Sequence, residues 1–387
     1  MGDIQLFSAE SMTEGQPDKL CDLISDSILD EVLAKDRFAR VSIDAQAAPG
    51  LVLVSGQLTT KEYADLTGIV RRTVADVGYS ERLSRFDADS IAVLTVVEEQ
   101  SPDVALVVDR KGAGNQGIVV GYATNEADRV GIDAGCMPLP TWLAHRLSQR
   151  LTEVRKTDLK EMLKPDGHAQ VTMIYEDGIP SRLMNVTVSN QHQRSADLEQ
   201  VREAIIESVI RPTLDQYGGL VNEKTMLRVN PGGPFHVGGP LADIGLTGRK
   251  SVCDTYGTAA VHGGSTLAGK DPTKTDRSAT YMARYIAKNI VAAGLADRVE
   301  IRIAYLFGVE EPLSLQVQTF GTGKTSDKEL AEVVRKVFDV TTPGIIETLN
   351  LRKVRYAPTA CYGCFGRFDL DLPWEVCDQV DALKASV

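Results

Sequence analysis

Two short segments of the chain combine glycines with basic residues. The first, residues 245–250, ends in the pair Arg-Lys, and the second, residues 269–278, includes Lys270 and Lys274. Glycine lets the backbone approach an anion closely, and several cations together can balance several phosphates. A proline and the apolar periodicity after Ser278 place both lysines just before a helix N-terminus, where free amides favour anions. These segments predict a polyphosphate site, the alternative being a solvated basic turn.

Carboxylates alternate with cations in these segments and in an earlier one. Asp276 lies between Lys274 and Arg277, and Asp18 precedes Lys19 near the N-terminus. Mg²⁺ prefers a few carboxylates together with phosphate oxygens, so aspartates among phosphate-binding lysines are candidate metal ligands. Each of them could equally cap a helix or form a surface ion pair.

A further glycine-rich segment, residues 112–117, matches the dinucleotide-binding pattern G-x-G-x-x-G. The apolar run 105–108 before it predicts a strand, but Ile118, Val119 and Val120 after it are β-branched and predict another strand. A dinucleotide-binding fold needs a helix at that point. The sequence therefore argues against a nicotinamide or flavin site.

The composition narrows the classes of function. A net charge of −11 argues against nucleic acid as a general partner, because phosphate backbones need a broad basic surface. No apolar run is long enough to cross a membrane, and the N-terminus lacks the features of a secretory signal, so we expect a cytoplasmic protein without a membrane partner. Cys361 and Cys364 form a single C-x-x-C pair without a neighbouring histidine, and we interpret them as ordinary thiols.

Hydrophobic periodicity predicts an α+β fold with three successive mixed units, residues 4–101, 112–229 and 231–370. Helices are predicted over 20–32, 61–77, 139–155, 196–210 and 276–293 and after Ser326. Strands are predicted over 41–43, 51–54, 91–97, 118–122, 170–175, 183–188, 301–306 and 313–319. The sequence Glu-Asp-Gly at 176–178 predicts a hairpin turn.

Taken together, these segments resemble the S-adenosylmethionine synthetase family, also called methionine adenosyltransferases. The resemblance covers nearly the whole chain and is carried by residues 14–19, 112–117, 238–240, 245–250, 269–278 and 287–297. It implies a pseudo-threefold arrangement of the three units. It also implies attack of methionine sulfur on C5′ of ATP and release of triphosphate, which is then cleaved to phosphate and pyrophosphate. Preorganised cations would stabilise this polyanionic leaving group.

The resemblance also implies roles for particular residues. Asp18 and Asp276 would hold Mg²⁺, and Asp44 would hold K⁺. The residues implied for ATP are Lys19, Asp166, His168, Asp243, Arg249, Lys250, Lys270 and Lys274, with Phe235 stacked on adenine. The residues implied near the acceptor are Gln57, Gln100, Asn115 and Phe307, with Gln16 near the reacting centre. The catalytic cations among them would be Lys19, Arg249, Lys250, Lys270 and Lys274.

Several of these positions differ from the family's pattern. Gln16 replaces a histidine, and Gln57 and Asn115 replace two carboxylates that receive methionine's ammonium. His168 replaces a phosphate-side lysine, Phe307 an aliphatic residue, and the acidic loop between Asp109 and Gly112 is nearly absent. Loss of both carboxylates predicts weaker binding of that ammonium, unless other groups compensate.

Three functions therefore stay open at the level of sequence. The first is synthesis of S-adenosylmethionine from ATP and methionine. The second is transfer of the adenosyl group to another acceptor that lacks methionine's ammonium, and the third is nucleotide binding or triphosphate cleavage alone. Because the family builds its site between subunits, the resemblance implies a homodimer or homotetramer with interfacial active sites.

Overall fold

The computed structural model describes residues 3–80, 85–103, 106 and 111–387. Within them, α-helices pack against three β-sheets, which confirms the predicted α+β class. Of the strand predicted over residues 105–108, only Leu106 is described, and it is helical, so the strand prediction is wrong at that residue. Asp109, where the short loop begins, lies outside the described residues. None of the described helices is both long enough and apolar enough to span a bilayer.

The elements follow one another along the chain in mixed order. The described strands are β1 (Ile4–Met12), β2 (Arg40–Ala48), β3 (Leu51–Thr59), β4 (Ala92–Glu98), β5 (Gly117–Thr124), β6 (Leu163–Glu176), β7 (Ile179–His192), β8 (Met226–Val229), β9 (Gly245–Leu246), β10 (Arg298–Tyr305) and β11 (Ser314–Gln318). The described α-helices are α1 (Pro17–Lys35), α2 (Leu66–Val77), α3 (Leu139–Lys156), α4 (Leu198–Ile205), α5 (Arg211–Leu214), α6 (Ser251–Asp254), α7 (Thr275–Ala292), α8 (Asp327–Val337), α9 (Thr342–Thr348) and α10 (Val380–Ser386).

Most elements lie where the periodicity predicted them. The predicted helix over 61–77 begins only at Leu66, where Asp65 caps it by accepting a hydrogen bond from Gly68 N. The helix predicted over 196–210 is α4 followed by a π-helical turn, Ile206–Ile210. Strand β5 follows the glycine-rich segment 112–117, as predicted, so that segment does not open a helix.

The three sheets join strands that are distant in sequence. Their strand orders are β1-β6-β7-β8, β11-β10-β5 and β4-β3-β2-β9. Strand β1 pairs with β6, and β5 pairs with β10, so strands from different predicted units share a sheet. The unit boundaries at residues 101, 112, 229 and 231 therefore stay a prediction.

Two helices carry the site. Helix α1 begins at Pro17, whose fixed φ suits a first helical position, and Gln16 caps it through its side chain. Its apolar face, with Leu20, Ile24 and Ile28 fully buried, packs on β2. Helix α7 is buried from Thr275 to Val291 and packs on β5 and β10, as expected of a helix in the middle of a core.

The sheet β4-β3-β2-β9 has one covered and one open face. Val52 and Val54 point inward and are fully buried, whereas Leu94 and Val96 on the other face are 53% and 62% exposed. Successive strand residues point to opposite faces, and the register places Asp44 and Gln57 on the same open face as these apolar residues. Leu246 on β9 continues this face. We call these five residues the open face.

Candidate active site

One group of charged side chains lies where β1 leads into α1. Gln16 caps the helix and donates from Nε2 to Asp18 Oδ2 at 3.3 Å. Asp18 also accepts hydrogen bonds from Leu246 N at 3.0 Å and Lys250 Nζ at 2.9 Å, and an Arg249 nitrogen lies 3.4 Å away. The structure therefore brings together four predicted site residues, which we call the Asp18 group: Gln16, Asp18, Arg249 and Lys250.

Hydrogen bonds lower the pKa of Asp18, and two cations beside it remain partly exposed. Burial alone would raise the pKa of Asp18, but the hydrogen bonds from Lys250 and Leu246 outweigh it and lower that pKa below its usual value. The side chains of Lys250 and Arg249 stay 24% and 47% exposed. Two cations are thus anchored on a buried carboxylate while remaining open to an anion from solvent.

His168 lies beside the Asp18 group and is paired with an acid. Its Nε2 is 3.0 Å from Glu10 Oε2, and this hydrogen bond is the main reason that the pKa of Glu10 falls to about 2. Lys250 lowers the same pKa further. Asp243 is exposed on the segment that leads to Lys250. We call residues 245–250 the first cationic segment and residues 269–278 the second. The structure therefore places His168 and Asp243 near the first cationic segment.

Asp166 holds the turn that precedes this segment. It accepts a hydrogen bond from Gly239 N at 2.7 Å, and burial raises its pKa to about 6. Gly239 has φ 62°, and a Cβ there would lie 2.1 Å from Tyr79 Oη, so only glycine fits. The half-buried Phe235 is fixed by two hydrogen bonds with His192, at 2.9 and 3.2 Å. Asp166 thus lies close to His168, beside the Asp18 group, and the backbone of Phe235 is fixed four residues before Gly239.

A second group of charged side chains lies at the N-terminus of α7. Lys270 Nζ is 2.6 Å from Asp276 Oδ2, and Ser265 Oγ donates to Asp276 Oδ1 at 2.7 Å. Asn115 Oδ1 accepts from Thr275 N at 3.0 Å and from Thr275 Oγ1 at 2.8 Å. We call this second set the Asp276 group: Asn115, Ser265, Lys270 and Asp276.

Two predicted residues, Asp44 and Gln57, lie on the open face, and Asp44 lies near Lys270 of the Asp276 group. Burial raises the pKa of Asp44, and the nearby Lys270 opposes this shift. Gln57 lies opposite Ser42 on β2 and Glu98 on β4. The face that carries them is open to solvent in the single chain.

Gln100 and Phe307 are not tied to the Asp276 group. Gln100 is buried, and its Oε1 has no hydrogen-bond partner among the described residues. Phe307 follows β10 and is 41% exposed. Their roles near an acceptor stay predictions.

Lys19 and Lys274 are already neutralised by carboxylates. Lys19 is buried, and its Nζ lies 2.9 Å from Asp22 Oδ2 and 2.6 Å from Asp254 Oδ1. Burial would lower the pKa of Lys19, but these two acids reverse the shift and raise it, so the ammonium stays charged. Lys274 Nζ lies 2.6 Å from the fully buried Asp271. These two lysines are therefore bound to acids other than Asp18 and Asp276.

The donor set fits Mg²⁺ that arrives with a phosphate. Among the residues that the structure describes, no three His, Cys, Asp or Glu side chains gather closely enough to hold an ion alone. Asp18 and Asp276 instead each supply one carboxylate, next to Lys250 and Lys270 respectively. Mg²⁺ is usually bound by one or two carboxylates together with water and substrate phosphates.

Sequence reasoning missed several acids that bind basic side chains. Asp22 and Asp254 bind Lys19, Asp26 binds Arg277 and Glu10 binds His168, and none of these four acids was predicted as part of the site. For two of them a signal was present, because Asp22 and Asp26 continue the four-residue spacing that begins at Asp18. Residues at this spacing share one face of a helix.

Family models match three consecutive parts of the chain. The N-terminal, central and C-terminal domains of S-adenosylmethionine synthetase match residues 4–102, 110–235 and 237–376. The chain belongs to the S-adenosylmethionine synthetase family. This confirms the resemblance inferred from the motifs.

Members of this family align with nearly the whole chain. The S-adenosylmethionine synthase of Desulforudis audaxviator is 49% identical over 395 residues, which covers 98% of each chain. The S-adenosylmethionine synthase of Staphylococcus epidermidis is 47% identical over 99% of this chain and 98% of its own. Membership therefore does not rest on one domain alone.

Proposed function

We propose that this chain synthesises S-adenosylmethionine from ATP and methionine and cleaves the released triphosphate to phosphate and pyrophosphate. The observation that carries the proposal is the pair of glycine-rich segments that each set a cation against one carboxylate, Lys250 on Asp18 and Lys270 on Asp276. The full-length relatives named S-adenosylmethionine synthase support methionine as the acceptor.

The cations stabilise the negative charge of the departing triphosphate. As methionine sulfur forms a bond to C5′, the bond from C5′ to the bridging oxygen breaks and its electron pair leaves with the triphosphate. Negative charge grows on that triphosphate, so fixed cations lower the barrier more than they stabilise bound ATP. Arg249, Lys250 and Lys270 are suited to this because each is exposed enough to meet an anion.

The two groups divide the substrates. We assign Asp166, His168, Asp243 and Phe235, together with the Asp18 group, to the ribose, phosphates and adenine of ATP; the contact of His168 with Glu10 beside Lys250 supports this assignment. Gln57 and Asn115 belong to the open face and the Asp276 group, and we assign them to the acceptor. Lys19 and Lys274 then act through the carboxylates that they neutralise.

Asp18 and Asp276 would hold Mg²⁺, and Asp44 would hold K⁺. Bound Mg²⁺ would neutralise charge on the phosphates and help to orient them. The chain supplies both carboxylates: Lys250 holds the pKa of Asp18 low, and Lys270 and Ser265 bind Asp276.

We further propose a homodimer in which the open face is covered by a second copy. No hydrogen bond or ion pair among the described residues joins the Asp18 group to the Asp276 group. Leu94, Val96 and Leu246 form an apolar surface around Asp44 and Gln57, and such a patch on a sheet commonly marks an interface. A second copy on this face would bring one chain's Asp276 group toward its partner's Asp18 group. A homotetramer would pair two such dimers, and a cytoplasmic location fits the substrates.

The test is product analysis by mass spectrometry with purified protein, ATP, Mg²⁺, K⁺ and methionine, together with an assay of released phosphate. S-adenosylmethionine over many turnovers, absent when methionine is omitted, is the expected result. Phosphate release that does not depend on methionine, with no adenosyl product, would instead indicate triphosphate cleavage alone. An adenosyl product formed only with another acceptor would show that the missing carboxylates at Gln57 and Asn115 changed the substrate.

A further inference from the structure

Helix α1 carries an aspartate at every fourth position from Asp18 to Asp30. Residues four apart lie on one helix face and rise about 6 Å, so the four carboxylates form a row about 18 Å long. Like charges at this spacing destabilise a helix by repulsion. A row of this kind therefore needs partners elsewhere in the fold. We call it the aspartate row, and its members are Asp18, Asp22, Asp26 and Asp30.

Every member of the aspartate row accepts a hydrogen bond from the backbone of a distant segment. The amides are Leu246 for Asp18 at 3.0 Å, Gly248 for Asp22 at 2.8 Å, Gly269 for Asp26 at 2.8 Å, and Tyr356 and Ala357 for Asp30 at 2.7 and 2.9 Å. The first three amides belong to the two cationic segments, 245–250 and 269–278. Only Asp30 binds neither segment.

Asp22 fixes the first cationic segment. Its Oδ1 accepts from Gly248 N, and its Oδ2 accepts from the buried Lys19 Nζ at 2.9 Å. Gly248 has φ 83°, and a Cβ there would lie 2.1 Å from Thr266 Oγ1. The segment therefore has one backbone conformation at the residue that Asp22 holds, two positions before Lys250.

Asp26 fixes the second cationic segment twice. Its carboxylate accepts from Gly269 N and forms two hydrogen bonds with the guanidinium of Arg277, at 2.8 and 2.6 Å. Arg277 in turn donates to the carbonyl oxygen of Lys270 at 3.1 Å. Both Asp26 and Arg277 are almost fully buried, where a bidentate pair is held rigidly. The backbone on both sides of the bond between residues 269 and 270 is thus tied to α1.

From these contacts we propose that Asp22 and Asp26 are positioning residues for the proposed reaction, on which this inference rests. They hold the backbones of both cationic segments on one rigid helix, so that Lys250 and Lys270 are set in place before the polyphosphate binds. Such preorganisation matters because small displacements of a charged group weaken transition-state stabilisation strongly. Neither aspartate needs to touch a substrate.

A purely structural role predicts something different. If the aspartate row only balanced its own charges and joined distant segments, removal of any member would lower stability and leave ligand binding unchanged. Asp30 provides the matched control, because it lies on the same helix face and binds two backbone amides outside the cationic segments. Positioning by Asp22 and Asp26 predicts a loss of anion binding that Asp30→Ala does not cause.

The experiment compares the full-length protein with Asp22→Ala, Asp22→Asn, Asp26→Ala and Asp30→Ala. Binding of tripolyphosphate with Mg²⁺ is measured by calorimetry, kcat and KM for ATP by formation of S-adenosylmethionine, and stability by thermal unfolding. Asp22→Ala and Asp26→Ala should weaken tripolyphosphate binding about tenfold or more and reduce kcat/KM at least as much. Asp22→Asn keeps an oxygen for Gly248 N and should recover most of the binding. Asp30→Ala should lower the unfolding temperature and stay within about twofold of native binding.

The result that overturns the proposal is native tripolyphosphate binding in Asp22→Ala, with a stability loss like that of Asp30→Ala. Should Asp26→Ala fail to fold because Arg277 loses its partner, the two Asp22 variants still decide. If tripolyphosphate binding depends on Asp22 but the native protein makes no S-adenosylmethionine, the proposed function fails and the positioning role stands. A native protein that binds no tripolyphosphate would overturn both.

Discussion

The Asp18 group and the Asp276 group are built alike but placed differently. Each sets a lysine on one carboxylate, at 2.9 and 2.6 Å, and each lies at the start of a long helix. The Asp18 group includes the exposed Arg249 and binds the backbone amide of Leu246 on the open face, whereas the Asp276 group reaches that face through Lys270, which lies near Asp44. Because no hydrogen bond or ion pair among the described residues joins the two groups, we propose that each is half of a site and that the halves belong to different copies in the assembled protein.

Disruption of the open face should have the largest effect. Val96→Lys places a charge on the exposed apolar face of β4, so the second copy should no longer dock and turnover should fall below detection. Light scattering after size-exclusion chromatography measures the mass. Tyr63→Lys is the control, because Tyr63 is 81% exposed and lies outside the sheets. A Val96→Lys variant that stays dimeric and active would exclude this face as the interface.

Removal of the cation in the Asp276 group should have the next largest effect. Lys270→Ala should reduce kcat about 100-fold, because removal of a preorganised charge opposite the developing anion typically costs this much. The protein should stay folded, since the side chain of Lys270 is partly exposed and the substitution removes its ion pair with Asp276 without opening the core. Turnover within about threefold of native would contradict its role against the leaving group.

Restoring a carboxylate next to α7 should have a smaller effect. Asn115→Asp keeps an oxygen for Thr275 N and Thr275 Oγ1 while adding a charge for methionine's ammonium, so KM for methionine should fall severalfold. Gln57→Glu would add a negative charge directly opposite Glu98, and the repulsion between the two carboxylates would complicate the interpretation of its KM. An unchanged KM for methionine in Asn115→Asp would indicate that this position does not face the ammonium.

The smallest effect concerns stability and pH at the far end of the aspartate row. Burial raises the pKa of Asp30 from 3.8 to about 6, against the opposing amides of Tyr356 and Ala357 and the charge of Arg277. A carboxyl with a raised pKa contributes stability that is fully present below pH 4 and is lost as pH rises through 6. Native protein should therefore lose about 2 kcal/mol relative to Asp30→Asn between pH 4.5 and 7.5. Denaturant titrations at both pH values measure the difference, and a constant difference would contradict the shift.

The sequence was sufficient for the elements and the family but not for the grouping of the residues. Periodicity placed α1, α7 and most strands, because each has one clear buried face, and Gly-rich motifs with adjacent cations indicated the phosphate chemistry. The sheet partners of β1 and β5 could not be read, since pairing between distant strands leaves no local signal. For the same reason Asp254, the distant partner of Lys19, was not foreseen, although the spacing of the aspartate row was visible.

The most direct test of the two-half account mixes two damaged proteins. Lys250→Ala damages the Asp18 group, and Lys270→Ala damages the Asp276 group, so each variant alone should be nearly inactive. After denaturation and joint refolding, half of the randomly formed dimers carry one variant of each kind, and one of their two sites contains no damaged group. The account predicts recovery of roughly a quarter of native turnover in the mixture. No recovery, with mixed dimers shown by mass spectrometry, would mean that both groups act within a single chain.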